Sequence, residues 1–399
     1  MRKHKPDFVI ALLVLTLMAI SLIVIYAIGP RVAQFENSQN GGSLDEMYFA
    51  RHHIFSVLMS IGALAAGYLF KHEWVKKFGQ KILIAGFVLC FLVIVLGRMG
   101  SSLVLCDLGA CRAFRVPGLG IGFQPAELVK IGVLLYVSYL VADRNRRKLL
   151  DKSEFWVPVS VVMLCVAVFV AWGLKDFGST VVIFTMVVSM MWLGGVSAKN
   201  MAIFMAVALL GAGILIVIAP HRLARLANFN NESGDTHHVD NSLLGMGTGG
   251  LMGVGLGNSV QTTGYLPEAL SDSIFSVVGE IWGFVGTMAV MMIYVAISFR
   301  LLDVSRKTED LENSMYVVGV FAWLIAHVII NVGGMTGIIP MKGITLPFLS
   351  YGGTSMLFVA YAVGTAFQLS GWTKREIVDE DSGSRRGQRR TRYASHRRG

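Results

Sequence analysis

The feature that most constrains this chain is a series of long apolar runs of the kind that crosses a lipid bilayer. A spanning helix needs about 20 predominantly apolar residues, and ten stretches of the 399-residue chain suit that role, some of them in shortened form. Only 15% of the residues are charged, against about 25% in soluble domains. The sequence therefore predicts an all-α integral membrane protein of ten transmembrane helices. The predicted spans are Phe8–Ile28, Ile54–Phe70, Ile82–Leu96, Leu128–Val141, Phe155–Trp172, Thr180–Leu193, Met201–Ala219, Ile274–Phe299, Met315–Ile330 and Thr345–Leu369.

The distribution of basic residues gives these spans an orientation. Cytoplasmic loops of membrane proteins carry an excess of Lys and Arg, and with the N terminus inside, 25 of the 35 Lys and Arg fall on the cytoplasmic side. The alternation of basic loops with less basic loops along the chain is lost if one span is added or removed. We therefore expect both termini in the cytoplasm and a large extracytoplasmic loop, from His221 to about Asp272, between helices 7 and 8. The net charge of +10 then reflects orientation, not nucleic-acid binding.

Composition divides the chain into a ten-helix membrane domain, residues 1–373, and a basic cytoplasmic tail, residues 374–399. The tail is predicted to be disordered and to anchor the topology, with contact to anionic lipid headgroups as the second interpretation and RNA binding as the third. The long loop is rich in glycine, which suits either close backbone packing or a lid. Cys106 and Cys111 share a short polar loop, and either a disulfide or two free thiols fits that spacing.

Charged side chains next to apolar runs are costly and point to function. Glu127 and Lys130 open the fourth span three residues apart, so on a helix they share one face and can pair. The alternative is a neutralised pair that only orients the helix. Arg112 and Arg115, just upstream on the predicted outer side, could hold an anionic ligand such as a diphosphate.

Two aspartates lie where outer loops meet spans. Asp176, before the sixth span, is interpreted first as a helix cap. Asp272 lies where the long loop meets the eighth span, and it is either a cap or a general base, because an apolar boundary raises the pKa of a carboxylate toward neutrality. Glu280, about two turns deeper, is expected to face the interior of the bundle.

Residues 331–355 interrupt the apolar pattern near the predicted outer face. Pro340, Pro347, several glycines and the lone Lys342 indicate a loop or re-entrant segment. Irregular backbone at membrane depth must line a protein cavity. A single lysine there would suit a phosphate group.

Four segments together resemble the SEDS family of shape, elongation, division and sporulation proteins. The resemblance covers nearly the whole chain, and the Lys-Gly-Ile-Thr run at 342–345 is similar to the division-type FtsW branch. The chain departs from the family pattern in places: Lys175 replaces a usual proline, Ser273 a usual Phe, and Ala113 a usual Trp. The four segments are FQPAELVK (123–130), KDFGST (175–180), LPEALSDSIF (266–275) and PMKGITLPFLSYGGTS (340–355).

The resemblance implies a peptidoglycan glycosyltransferase that polymerises lipid II on the outer face of a bacterial cytoplasmic membrane, at the division septum. It implies a class B penicillin-binding transpeptidase, other divisome membrane proteins and membrane lipids as partners, and no nucleic acid. A divalent cation, Mg or Mn, could accompany the diphosphate, although no ligand cluster in the sequence demands one and no other cofactor is indicated. The resemblance makes Asp272 the catalytic residue. The residues it assigns to substrate binding are Arg112, Glu127, Lys130, Glu280, Lys342 and Ser350.

Three alternatives remain on the sequence alone. A lipid II flippase would use the same intramembrane Glu and Lys residues, but it predicts inverted repeats, which the sequence lacks, and needs no outer base. An elongation-type, RodA-like polymerase would differ in biological role. A non-catalytic scaffold is disfavoured because Asp272, Glu127 and Lys130 are all present.

Overall fold

The computed structural model has an apolar helix at each of the ten predicted spans. It describes residues 5–107, 110–115, 122–217, 237–259, 266, 268–339 and 343–373. Within those residues seven helices are long and apolar enough to cross a membrane, and three more are shorter. The helical fold is confirmed, while the number of crossings and their orientation stay predictions. The helices are α1 (Phe8–Asn40), α2 (Tyr48–Leu69), the short α3 (His72–Val75), α4 (Gly79–Arg98), α5 (Pro125–Arg146), α6 (Ser153–Cys165, continued by π-helical turns over Val166–Gly173), α7 (Phe177–Leu193), α8 (Ala198–Val217), α9 (His237–Gly249), α10 (Ile274–Lys307), α11 (Leu311–Met335) and α12 (Thr354–Ser370).

The helix ends that the charge pattern assigns to the cytoplasm lie together on one face. Ion pairs join them across the bundle: Lys76 to Glu312 at 3.5 Å, and Arg146 to Asp310 at 2.7 Å. The hydroxyl of Ser370, at the end of α12, accepts a hydrogen bond from the Asp7 backbone N–H that precedes α1. One face of the bundle is thus basic, and ion pairs and a hydrogen bond join its helix ends. The loops on the opposite face hold the candidate site.

Helices α5 and α11 form the centre of the bundle, whereas α1, α2 and α8 lie at its edge. Side chains at the edge are apolar yet exposed, as with Leu12 at 64%, Leu58 at 62% and Leu210 at 70%. Glycines lie where two helices pack most closely, because small residues let helix backbones approach each other in membranes. A Cβ on Gly364 of α12, for example, would lie 2.2 Å from the Leu64 carbonyl oxygen of α2.

A three-stranded antiparallel sheet covers the start of α5 on the face opposite the ion pairs. Its strands are β1 (Val104–Asp107), β2 (Ala110–Arg115) and β3 (Gly122–Phe123), in that order. Cys106 and Cys111 face each other across β1 and β2 and form a disulfide. Of the two interpretations of this cysteine pair, the structure therefore has the disulfide. The strand β3 ends two residues before α5, so the sheet holds β2 beside that helix.

Helix α10 is broken at Gly283, where φ is 66°, and residues 250–255 fill the break. The N–H of Phe284 donates to the Gly250 carbonyl at 2.8 Å, and the N–H of Val254 donates to the Glu280 carbonyl at 2.9 Å. Val285 and Gly255 make equivalent bonds to Leu251 and Ile281. Unpaired backbone groups at membrane depth cost several kcal/mol each. The glycine-rich stretch therefore serves close backbone packing, the first of its two predicted uses.

Three sequence expectations need correction. The predicted outer loop from His221 to Asp272 contains a helix, α9, and its residues 221–236, 260–265 and 267 lie outside the described part. The predicted irregular segment begins later than Asn331, because α11 continues to Met335. The tenth helix begins at Thr354 instead of Thr345, because Pro347 and a turn at Leu346–Ser350 precede it. The predicted basic tail, 374–399, also lies outside the described residues.

Replacement of Gly283 by Ala is expected to destabilise the protein by at least about 2 kcal/mol, because a Cβ would require a strained φ and would clash. That Cβ would lie 2.5 Å from the Gly253 nitrogen. The measurement is the midpoint of thermal unfolding in detergent. Gly211→Ala on α8 is the matched control, since no atom lies within 4 Å of its Cβ. Equal midpoints for the two variants would contradict the docking of residues 250–255 into the break.

Candidate active site

Asp272 lies in the turn that leads into α10. The turn is closed by the Glu268 carbonyl, which accepts hydrogen bonds from the N–H groups of Ser271 at 3.0 Å and Ser273 at 3.1 Å. The residue that directly precedes α10 is Ser273, and it makes no side-chain cap. Asp272 therefore does not occupy the cap position, and the cap interpretation of this residue is wrong.

Two contacts hold Asp272 in place, one from a side chain of α11 and one from the backbone at residue 343. The side-chain amide of Asn331, on α11, donates to the Asp272 carbonyl at 2.7 Å. Gly343 lies against the carboxyl group, since a Cβ on this glycine would be 2.8 Å from Asp272 Oδ2. The carboxyl group thus sits where the turn before α10 meets the irregular chain after α11.

That irregular chain, the 343–350 segment, receives hydrogen bonds from side chains of the surrounding helices. Four of its carbonyl groups each accept one such bond, at 2.5 to 3.0 Å. The segment is also closed on itself, because Ser350 Oγ accepts from the Leu346 N–H at 2.7 Å. The pairs are Asn331 with Ile344, His327 with Thr345, Tyr294 with Pro347, and Ser21 with Leu349.

Burial raises the pKa of Asp272 to about 7. This value also includes the nearby negative charges of Glu268 and Asp176, which raise the pKa, and the Arg112 guanidinium, which lowers it. The side chain still keeps part of its surface exposed. A carboxyl group that titrates near neutrality and stays accessible is suited to accept a proton. The pKa shift predicted from the sequence is therefore present.

Arg112, on β2, extends toward the turn before α7. Its Nη2 donates to the Lys175 carbonyl at 3.2 Å, and the guanidinium is otherwise exposed. In that turn Asp176 Oδ1 accepts from the Ser179 N–H at 2.9 Å, so the predicted cap at Asp176 is confirmed. An exposed cation beside Asp272 can bind an anionic ligand.

Glu127 and Lys130 form the predicted ion pair, with 2.7 Å between Oε1 and Nζ, and side-chain exposures of only 3% and 1%. Lys130 Nζ also lies 3.4 Å from His327 Nε2 and 5.5 Å from the centre of the Trp323 ring. His327 Nδ1 in turn donates to the Thr345 carbonyl at 3.0 Å. The pair therefore lies beneath the 343–350 segment and supports it from inside the bundle. Its predicted contact with substrate stays a prediction.

Two other predicted site residues, Glu280 and Ser350, make their contacts away from the Asp272 carboxyl group. Glu280 is buried, as expected, and its Oε2 accepts from the Ser259 hydroxyl at 2.5 Å, while Arg31 donates to the Gly257 and Ser259 carbonyls. Glu280 thus belongs to the loop docked on α10. Ser350 is buried in its own turn. Lys342 lies outside the described residues, so its predicted contact with a phosphate stays a prediction.

Sequence reasoning missed three residues of this site: Gly343, His327 and Asn331. His327 and Asn331 are four residues apart in an apolar run of α11, so both point to one face. Polar side chains at such spacing inside a span are costly, and that signal could have identified them. The contact between Gly343 and Asp272 has no local signature.

The structure also has an apolar cavity of about 570 Å³ between α1, α2 and residues 256–257. Among the described residues that line it, Tyr26 and His53 are the two with ionisable side chains. None of the predicted site residues that the structure describes lines it. The candidate site is instead the exposed surface around Asp272 and Arg112.

Comparisons with known proteins agree over almost the whole chain. The FtsW/RodA/SpoVE family profile, described as "cell cycle protein", matches residues 7–374. The probable peptidoglycan glycosyltransferase FtsW of Enterococcus hirae is 30% identical over 386 residues, 92% of this chain and 93% of its own. A chain from a peptidoglycan synthase complex shares the fold with a TM-score of 0.71 and 18% identity, over 92% of this chain and 97% of that one. The rod shape determining protein RodA of Thermus thermophilus gives a TM-score of 0.65 at 19% identity, over 93% and 98%.

The titration of Asp272 is expected to respond in opposite directions to two substitutions. Glu268→Gln removes a negative charge and should lower its pKa, whereas Arg112→Met removes a positive charge and should raise it. A hydrophobic carbodiimide that modifies the protonated carboxyl group, followed by peptide mass spectrometry, measures this. Labelling of the wild-type protein should fall as the pH rises through about 7. Equal labelling midpoints in the wild type, Glu268→Gln and Arg112→Met would show that these two charges do not act on Asp272.

Gly343→Ala is expected to displace the Asp272 carboxyl group toward solvent, because the new Cβ would lie 2.8 Å from Oδ2. With less burial the carbodiimide-labelling midpoint should fall below that of the wild type. Gly352→Ala is the control, since its Cβ would meet its nearest atom, Thr345 Cγ2, at 3.9 Å. A midpoint in Gly343→Ala equal to that of the control would show that the carboxyl group does not rest on residue 343.

Proposed function

The chain belongs to the FtsW/RodA/SpoVE family of cell cycle proteins, and from this premise we propose that it is a peptidoglycan glycosyltransferase. It polymerises lipid II into glycan strands on the outer face of the bacterial cytoplasmic membrane. The name of the relative from Enterococcus hirae, which is 30% identical to this chain, supports this activity. The observation that carries the proposal is the Asp272 carboxyl group, with a pKa of about 7, beside the exposed Arg112 cation.

In the proposed reaction Asp272 acts as the general base. Its carboxylate takes the proton from a sugar hydroxyl of the acceptor lipid II. The hydroxyl oxygen forms a bond to the anomeric carbon of the growing strand as the bond from that carbon to the diphosphate oxygen breaks. Undecaprenyl diphosphate leaves with the electron pair, and the configuration at the anomeric carbon inverts. A base whose pKa lies near the operating pH is the most effective for such a transfer.

Cationic side chains offset the charge on the leaving group. Arg112 reaches the surface beside Asp272, held by the Lys175 carbonyl, and Lys342 is predicted to take the same role. Fixed positive charge at the point where negative charge develops lowers the barrier. Glu127 and Lys130 support this surface from below through His327 and Thr345.

The proposed partner is a class B penicillin-binding transpeptidase, and the fold shared with a chain of a peptidoglycan synthase complex supports such an assembly. The apolar helices and the family together support a multi-pass protein of the bacterial cell membrane. We place it at the division septum, with other divisome proteins, on the strength of the Lys-Gly-Ile-Thr run at 342–345 and the relatives named FtsW.

A divalent cation at the diphosphate is a further part of the proposal. Three or more metal-binding side chains do not converge anywhere in the described ranges. A Mg²⁺ or Mn²⁺ ion would then depend largely on substrate phosphates, as Mg²⁺ does in many phosphate sites. No step above requires it.

Asp272→Asn is expected to reduce lipid II polymerisation by about 10²- to 10⁴-fold, the usual contribution of a general base. The assay uses purified full-length protein with its transpeptidase partner and separates the glycan products by gel electrophoresis. Asp303→Asn is the matched control: this half-exposed carboxylate lies on α10 at the opposite face, 3.0 Å from Lys307. Full polymerisation by Asp272→Asn would exclude this mechanism. A wild-type protein that moves lipid II across vesicles without polymerising it would establish the flippase alternative.

A further inference from the structure

Asn331 differs from the other polar side chains that contact the 343–350 segment. Ser21, His327 and Tyr294 each bond one carbonyl of that segment. The Asn331 amide donates to two carbonyls, that of Ile344 and that of Asp272, each at 2.7 Å. It therefore ties the segment to the residue that the proposed function makes the base.

The orientation of the Asn331 amide follows from its partners. Both are backbone carbonyl groups, which only accept hydrogen bonds, so Nδ2 must face them. This leaves Oδ1 buried, without a hydrogen-bond partner among the described residues, on a side chain that is 1% exposed. A buried acceptor without a donor is unfavourable. An apolar side chain of the same shape would avoid that cost, so the use of the residue lies in its two N–H groups.

The position of the two carbonyls explains what those N–H groups do. Gly343 directly precedes Ile344, and its backbone lies against the Asp272 carboxyl group. A single side-chain amide of Asn331 thus holds both Asp272 and the backbone next to Gly343, the residue that contacts the Asp272 carboxyl group. Ile344 also packs on Gly178, whose Cβ would lie 2.5 Å from Ile344 Cγ1, next to the turn that carries Asp176 and Lys175. Asn331 therefore also holds a residue, Ile344, that packs against the turn whose Lys175 carbonyl accepts a hydrogen bond from Arg112.

We propose that Asn331 is a positioning residue for Asp272, which fixes the base against Gly343 and keeps its carboxyl group turned away from bulk water. The proposal rests on the proposed function for its catalytic consequence. Its structural part stands by itself: without the two N–H groups, residue 272 gains freedom and becomes more accessible.

The structural part is tested by thiol labelling. Asn331 contacts the backbone carbonyl of residue 272, so Asp272→Cys keeps that bond. The background has Cys90 and Cys165, the two free cysteines among the described residues, replaced by Ala. In it, a membrane-impermeant maleimide should label residue 272 about five- to tenfold faster when Asn331→Leu is added, the factor expected for loss of the one hydrogen bond that Asn331 makes to residue 272. Asn331→Asp, which keeps the shape and turns an acceptor toward the carbonyls, should act in the same direction.

Tyr294→Phe is the matched control. It removes a hydrogen bond to the same segment, at Pro347, without touching Asp272. It should leave the labelling rate unchanged, and thermal unfolding of each variant establishes the folded fraction. Equal labelling in the Asn331 variants and in Tyr294→Phe overturns the proposal, whether or not the protein polymerises lipid II.

The catalytic part is tested by the pH profile of polymerisation with Asp272 present. Asn331→Leu should lower the rate at the optimum and shift the acidic midpoint below that of the wild type, because a freed carboxyl group is better hydrated. A merely destabilised protein would lose rate at every pH with no shift of the midpoint, which would overturn the proposal. If the wild-type protein shows no polymerisation, the proposed function fails, and the labelling result still decides the role of Asn331.

Discussion

Inside a bilayer a backbone amide or carbonyl group finds no water, so any stretch that is not helical must receive its hydrogen bonds from the protein. The 343–350 segment is not helical and is largely buried among the helices, and side chains of α1, α10 and α11 supply donors to four of its carbonyl groups. Each of these side chains would be costly against lipid. The polar residues within the apolar runs are therefore explained in large part by the irregular backbone that they surround.

The same constraint acts at the break in α10, where the protein meets it with backbone instead of side chains. Residues 250–255 bond to both sides of Gly283, and only glycine allows an approach in which a Cβ on Gly253 would lie 2.1 Å from the Ile281 carbonyl oxygen. The part of α10 before Gly283 is thereby a short helix. The turn at Glu268–Ser273 precedes it, and residues 250–255 bond to its far end. Asp272, which precedes it, rests on a rigid support between two packed irregular segments.

The electrostatics of the site follow from this packing. At Asp272 burial and two neighbouring carboxylates outweigh Arg112, so the pKa rises to about 7. If Arg112 dominated, the group would be ionised at every physiological pH and would be a weaker base. At Glu127 and Lys130 a pair of opposite charges is buried together. The two charges of such a pair offset each other, whereas a single carboxyl group near neutrality is available to accept a proton.

The family resemblance identified the candidate base, Asp272, and the sequence alone predicted the apolar helices, the Glu127–Lys130 pair and the cap at Asp176. These depend on hydropathy and on spacings of three or four residues, which are local properties of a helix. It could not determine the break at Gly283, the start of α12 at Thr354, or the roles of Gly343 and Asn331. Only the tertiary structure decided what surrounds Asp272, because β2, the turn before α7, α11 and the 343–350 segment meet there from distant parts of the chain, and their contact depends on how the helices pack.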